Sequence, residues 1–406
     1  EKEEKEEKEE LKEEKEEKEE LQEQSNEKIE PQEESKKELL KGISLLMEGE
    51  NSTAVSGNEA ADFEGKGTAA NPYKIQNVDD LKKLAEKVNG GEAYEGKHFK
   101  LTANIDLKNE EWTPIGTLQG EEVRPFQGTF DGGGHQITNL KIGKREYGGL
   151  FGNVWGATIQ NCNVTGEVNG YNYSGGIVGY ANDNTHILNC SFQGNVEGNG
   201  ENRGGIVGDT SIGCDVSGCF VTGKVKGSKS VGGIAGNGVG TIKNCYALAD
   251  VTARDRIAGG IAGGTYNLTI ENCYYGGDVL AKNYAGGIAG VMDSTSGSST
   301  TIKNCVSLAE SVTAGINSVN RIAGGVRDNI NLINNHSYNR TKLVINGKPA
   351  YPTGGAGNDV IGADVYISNG RVMTDVQKGE VFAWTGFDKA IWYIPTEAGK
   401  LPSLQK

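Results

Sequence analysis

The side chains in this 406-residue sequence that could do chemistry are seven cysteines, four histidines, scattered carboxylates and a set of cations and tyrosines. Six cysteines, Cys162, Cys190, Cys219, Cys245, Cys273 and Cys305, recur at nearly even intervals, and Cys214 lies five residues before Cys219. No Cys-x-x-Cys occurs, so the usual zinc spacing is missing. Evenly repeated thiols fit a column of packed side chains, with disulfides between neighbours as the alternative. His98, His135, His186 and His336 are scattered, and no His-Glu-x-x-His is present. Asp131 and His135 flank the glycines Gly132 to Gly134, which reads as a tight turn rather than a hydrolytic pair, and no Gly-Lys-Ser/Thr follows to build a phosphate loop. Polysaccharide-cleaving solenoids gather acidic groups on one flank. Here Asp183, Asp209, Asp215, Asp255 and Asp278 stand at different offsets from the preceding glycine pair, so no flank collects them. The sequence reads as non-catalytic, with no cofactor and no metal.

The cations and tyrosines do follow a rule, because they precede a recurring Gly-Gly-aliphatic phrase. They are Lys144, Arg145 and Tyr147; Tyr171 and Tyr173; Arg203; Lys229; Arg254 and Arg256; Lys282 and Tyr284; and Arg321. If the copies stack, these corners align into a basic, tyrosine-bearing ridge suited to an acidic glycan or an acidic protein surface.

The phrase that must position them is written seven times: Gly148-Gly149-Leu150, Gly175-Gly176-Ile177, Gly204-Gly205-Ile206, Gly232-Gly233-Ile234, Gly259-Gly260-Ile261, Gly286-Gly287-Ile288 and Gly324-Gly325-Val326. Successive first glycines are 27, 29, 28, 27, 27 and 38 residues apart. A second phrase keeps the same beat and ends in Asn-Cys, at Asn161, Asn189, Asn244, Asn272 and Asn304, each followed by its cysteine. Between them run short stretches in which apolar residues alternate with small or polar ones, bounded by Gly, Asn and Ser. These are strands and turns, and helical spacing is absent. A period near 28 residues in that alphabet predicts a right-handed parallel β-helix, or β-solenoid, of three short strands and three corners per coil. In it the cysteines form an inward column and the asparagines a corner column, while the glycines serve positive φ or close backbone approach.

The phrases also resemble the GLUG-motif family, whose signature stands here as Gly149-Leu150-Phe151-Gly152, Gly176-Ile177-Val178-Gly179, Gly205-Ile206-Val207-Gly208, Gly233-Ile234-Ala235-Gly236, Gly260-Ile261-Ala262-Gly263 and Gly287-Ile288-Ala289-Gly290. The last copy, Gly325-Val326-Arg327-Asp328, departs from it. The resemblance implies a bacterial protein that is extracellular or attached to the cell surface. Such repeats also occur in adhesins and within immunoglobulin-A-cleaving metallopeptidases. Lacking the zinc motif, this chain would be a non-catalytic part of such a peptidase.

Charge divides the chain. Residues 1–64 hold 10 basic against 24 acidic residues, which accounts for the whole net charge of −14 and leaves the body neutral. The low pI therefore describes a tail, and nucleic acid is not an expected partner. Residues 1–62 read as a Glu/Lys-rich spacer, disordered or helical, with a capping box at Ser35 and a Gly/Ser/Asn linker. Residues 63–147 read as an N-terminal cap and first coils, with a helix starting at Asn77 and stopped by Gly90-Gly91. Residues 148–340 are the solenoid and 341–406 an aromatic C-terminal cap containing Trp384, Phe387, Trp392 and Tyr393. No stretch is apolar enough to span a membrane, and the glutamate start without an early apolar run suggests a mature or excised fragment. The expected role is a monomeric adhesion or binding module recognising host glycan or protein. The alternatives are a stalk or accessory domain of a secreted peptidase and, third, a polysaccharide-active enzyme.

Overall fold

The computed structural model describes residues 62–350, apart from 120, 121, 296, 328 and 338–340, together with 387–393 and 401–405. The expectations for the charged tail and linker, and for Trp384, fall outside the described residues.

The body is a parallel β-solenoid. One column of strands runs from Tyr73–Ile75 through His98–Leu101, Thr129–Asp131, Thr158–Gln160, His186–Leu188 and Asp215–Ser217. It continues along the second halves of Ala235–Lys243 and Ala262–Glu271 to Thr300–Lys303 and Ile330–Ile333. A second column holds Phe151–Trp155, Val178–Asn182, Val207–Thr210, the first halves of the same two long strands, Ala289–Asp293 and Ala323–Val326. A third includes Gln136–Ile142, Asn163–Val168, Ser191–Glu197, Phe220–Gly227 and Tyr246–Ala253. A short fourth runs from Arg203–Gly204 to Ser318–Asn320. Sequence periodicity becomes spatial register: Phe130, Ile159, Ile187, Val216, Ile242, Ile270 and Ile302 pair rung to rung in the first column, and all are at most 1% exposed.

The Asn-Cys phrase forms the corner between the first and third columns. Asn161, Asn189, Asn244, Asn272, Asn304 and Asn334 all have φ between 50° and 54°, and Gly218 fills the same place at 64°. Asparagine tolerates this left-handed conformation because its amide can bond locally, and here it bonds up the stack. The Nδ2 of Asn272 donates to Asn244 Oδ1 at 3.3 Å, that of Asn304 to Asn272 at 3.2 Å, and that of Asn334 to Asn304 at 2.9 Å. Asn161 bonds Asp131 at 2.9 Å, so Asp131 belongs to this ladder. The cysteine side chains behind the corner point inward, and all six are 0% exposed. The backbone N–H groups of Cys190, Cys219 and Cys245 each lie 3.4 Å from the sulfur one rung on. All seven cysteines are thiols rather than disulfides.

The paired glycines answer a different need. None has positive φ. A Cβ on the first glycine of the pairs at 204, 232, 259 and 286 would stand 1.9 to 2.2 Å from the carbonyl oxygen three residues on. On Gly205, Gly233 and Gly260 it would lie 2.1 to 2.4 Å from the carbonyl of the next rung's glycine. The phrase is a steric signature of backbone folded against backbone.

The seventh copy corrects the sequence alignment. Ala289 pairs with Ala323, and Ile288 N donates to Ile322 O just as Ile261 N donates to Ile288 O. Gly324 is therefore the counterpart of Gly290, while Asn320 and Arg321 occupy the places of Gly286 and Gly287. The longer connection before Thr300 hides this shift from any count of glycine pairs.

At the leading end, helix α1 (Val78–Asn89) follows the first strand of the first column. Asn77 caps it by accepting from Asp79 N at 2.9 Å and Asp80 N at 3.1 Å, and Leu81, Leu84, Ala85 and Val88 turn into the common core. Aromatic rings fill the core beside it, with Phe99 4.9 Å from Tyr94 and 5.4 Å from Phe63, ring centre to ring centre. Of the C-terminal residues, Phe387 and Trp392 pack on the flank of the stack and not over its last coil. Trp392 lies 6.0 and 5.7 Å from Tyr246 and Tyr274, which continue a stacked ladder from Phe220. The apolar side chains that need cover there are on an outward face, so the expected end cap is, in these residues, a lateral strap.

Candidate functional site

The corners before the glycine pairs do stack, since Tyr171 N donates to Arg145 O, Ser228 N to Gly200 O, Asp255 N to Ser228 O and Asn283 N to Arg256 O. The ridge they form is mixed in charge rather than basic. Lys144, Arg254 and Lys282 are exposed and Tyr171 is 51% exposed. Arg256 and Tyr284 are half-buried. Lys229, however, pairs with Glu201, and Arg254 donates to Gly198 O at 3.0 Å and Asn199 Oδ1 at 2.7 Å. Arg145 turns toward Glu111, 3.7 Å away.

Two residues expected on the ridge are inside. Arg203 is 0% exposed, and its guanidinium donates to the carbonyls of Gly200, Gly170 and Tyr171, stitching two successive corners together. Burial, with repulsion from Arg254, lowers its pKa to about 10. The reason is register. Arg203 pairs with Ser174 and Val231, and that row continues through Ala258, Ala285 and Val319, a buried line on which its long chain is the exception. The small or apolar character of its counterparts was the available signal. Arg321 is 8% exposed for the related reason that it takes the place of the paired glycine Gly287.

A feature with no single sequence offset lies along the neighbouring seam. Tyr147 and Tyr173 stack at 5.2 Å with ring planes 10° apart, and Tyr180 leans on both at 6.3 and 5.9 Å. Tyr180 pairs in register with Asn153 on one side and Asp209 on the other, and Asp209 with Asn237. The buried Asp209 carboxylate accepts from Asn202 Nδ2 at 2.9 Å and Asn237 Nδ2 at 3.1 Å. Burial, reinforced by nearby carboxylates including Asp209, raises the phenol pKa values of Tyr147 and Tyr180. These hydroxyls stay protonated at neutral pH, as donors and acceptors along a tyrosine- and amide-lined strip. Among the described residues no three His, Cys, Asp or Glu side chains are grouped to hold a metal. No helix among them is long and apolar enough to cross a membrane.

A family model described as the GLUG motif matches residues 170–197, the coil that carries Tyr171, Tyr173, Tyr180 and Cys190. This coil carries a GLUG motif. Over 218 residues, half of this chain, it is 28% identical to halomucin of Haloquadratum walsbyi, of which it covers 2%. Over 112 residues it is 31% identical to a protein of Evansella cellulosilytica provisionally named a Gly-rich membrane protein, covering 12% of it. The chain thus spans a small part of the curated relatives it matches. Its fold is shared with a crystal structure from Bacteroides ovatus provisionally assigned as an immunoglobulin A1 protease. That match has a TM-score of 0.56 and 22% identity, covering 85% of this chain and 95% of that one.

Proposed function

We propose that the GLUG solenoid is a non-catalytic binding domain of a larger extracellular bacterial protein, engaging host glycan or protein through the outer corner beside the tyrosine strip. The observation that carries this reading is the unbroken stack of corners presenting Lys144, Tyr171, Arg254 and Lys282 on one side of the body, next to the Tyr147–Tyr173–Tyr180 cluster. Rigid rungs hold these groups at fixed spacing, so little ordering is required on binding. The similarity to surface and membrane proteins supports a site outside the cell. The test is a glycan array and host-cell binding assay on the chain and on a variant combining Lys144→Ala, Tyr171→Ala, Arg254→Ala and Lys282→Ala. Loss of binding with an unchanged melting temperature is expected, and undiminished binding by the variant refutes the corner as the contact.

A second reading, an accessory domain of a secreted peptidase, draws on the assignment of the Bacteroides ovatus protein with the same fold. A zinc-binding catalytic segment in the parent reading frame would favour it.

A further inference from the structure

Asparagine followed by glycine is a chemically labile pair, because the glycine N–H, with no Cβ beside it, can attack the asparagine side-chain carbonyl. Among the described residues the pair occurs at Asn89-Gly90, Asn169-Gly170, Asn199-Gly200, Asn237-Gly238 and Asn346-Gly347. The attack needs an unengaged side-chain amide, an unengaged N–H and room for the peptide between them to turn. The fold withholds at least one of these from the first four. Asn89 is buried, donates to Pro114 O and accepts from Gly116 N, both at 3.0 Å, and Gly90 N donates to Glu86 O at 2.8 Å. Asn237 donates to Asp209 at 3.1 Å within the strand Ala235–Lys243. At the two corner pairs the glycines are buried and their carbonyls accept from the Arg203 guanidinium. A Cβ on Gly170 would stand 2.1 Å from Ser174 Oγ and one on Gly200 2.0 Å from Tyr171 O, so neither peptide has room to turn.

Asn346-Gly347 meets all three conditions. It is the turn of a hairpin in which Lys342–Ile345 pairs antiparallel with Lys348–Pro349, Ile345 opposite Lys348. Both turn residues have positive φ, 47° and 70°, the conformation that favours Asn-Gly in a two-residue hairpin. Both are exposed, a Cβ on Gly347 would meet nothing within 4 Å, and neither the Asn346 amide nor the Gly347 N–H is bonded among the described residues. We infer that Asn346 is a self-modification site. Gly347 N bonds to Asn346 Cγ, the Cγ–Nδ2 bond breaks, and the N–H proton leaves with the amide nitrogen as ammonia. Water then opens the five-membered imide at either carbonyl, giving aspartate or its β-linked isomer, with no enzyme, oxidant or cofactor. Aspartate tolerates the left-handed conformation as asparagine does and keeps the turn. The β-linked isomer adds a methylene to the main chain, so Ile345 and Lys348 no longer face each other. Because Lys348–Pro349 lies along the free edge of Lys342–Ile345, the isomer uncovers a strand edge at the trailing end of the third column.

The full chain is aged in warm, mildly alkaline buffer made with heavy-oxygen water, so that acid formed during ageing is distinguished from acid formed during digestion. Peptide mapping with mass spectrometry then follows all five pairs. Asn346 should convert about tenfold faster or more than the other four, which must first open locally at a cost of about 1.4 kcal/mol per decade of rate. In urea, where the fold no longer protects them, the five should convert at similar rates. Amide exchange at Ala350, whose N–H donates to Leu343 O at 2.8 Å across the hairpin, should quicken in the aged chain but not in Asn346→Asp, which reproduces the aspartate product alone. Asn346→Gln should suppress the conversion and leave the melting temperature unchanged. Conversion at Asn346 no faster than at Asn169 or Asn199 overturns the inference, as does a ranking that persists in urea. Ala350 exchange in the fully converted chain equal to that of Asn346→Asp overturns the uncovering of the edge.

Discussion

Replacing Gly233 by alanine tests the steric meaning of the repeat. The new Cβ would stand 2.1 Å from Gly260 O and 2.7 Å from Ala247 Cβ, where ordinary contact begins at 3.4 Å, so the rung must open by about 1.3 Å. Opening by that much disrupts three inter-rung bonds: Gly233 N to Gly260 O at 3.2 Å, Ile234 N to Ile261 O at 2.9 Å and Ala235 N to Ile261 O at 3.1 Å. At a net value near 1 kcal/mol each, with some relief from relaxation, the expected destabilisation is about 2–4 kcal/mol. Gly238→Ala is the control. Its Cβ would meet only side-chain atoms, the nearest being Leu268 Cδ2 at 3.2 Å, and a cost within about 1 kcal/mol is expected there. Urea unfolding followed by circular dichroism measures both variants, compared at the transition midpoint because stacked repeats need not unfold in one step. If Gly233→Ala unfolds within about 0.5 kcal/mol of the parent, backbone crowding is not why the glycines recur.

Four further outcomes follow from named contacts. Asn272→Ala loses both the left-handed preference and its ladder bonds, for about 2–3 kcal/mol, whereas Asn272→Gly keeps the conformation, as Gly218 does, and should cost less in the same urea assay. Arg203→Ala should lower stability by about 2–4 kcal/mol by orphaning the carbonyls of Gly170, Tyr171 and Gly200, which it now joins across two successive corners. Burial holds the thiols of Cys219, Cys245 and Cys273 well above the ordinary range, so folded chains should not react with a thiol reagent at neutral pH, and stability should fall as pH rises through the unfolded thiol value of about 8.5. Burial also lowers the His336 pKa, so its contribution is intact above about 6.5 and is lost as pH falls below it, a slope that His336→Gln should flatten in melting curves taken from neutral to mildly acidic pH.

Much of the fold was legible because a solenoid converts sequence period directly into contact. The buried cysteine column, the asparagine corner and the helix opened by Asn77 each follow from local chemistry repeated or capped at fixed spacing. Where the period slips, that reading fails. The glycine pair at 324 lies four residues out of place because Asn320 and Arg321 stand where the earlier copies have their paired glycines, and the pairings of Gly286 with Asn320 and Ala289 with Ala323 reveal it. The candidate site was less legible. An arginine next to a glycine pair looks like surface until its row is seen to hold Ser174, Val231 and Ala258. Tyr147, Tyr173 and Tyr180 meet across two different rows, so no single offset could have grouped them. The charge of the ridge was misread for a similar reason, since Glu111 and Glu201 arrive from neighbouring coils to meet Arg145 and Lys229.

The most direct test of the account is a pair of distances along the corner. Spin labels placed at residues 144 and 282, and at 171 and 282, are measured by double electron–electron resonance, the native thiols being buried. Five and four rungs of roughly 4.8 Å predict separations of about 24 and 19 Å, differing by one rung. Distances that do not shorten by about one rung spacing between the two pairs would contradict the stacking of successive copies on which both the fold and the contact surface depend.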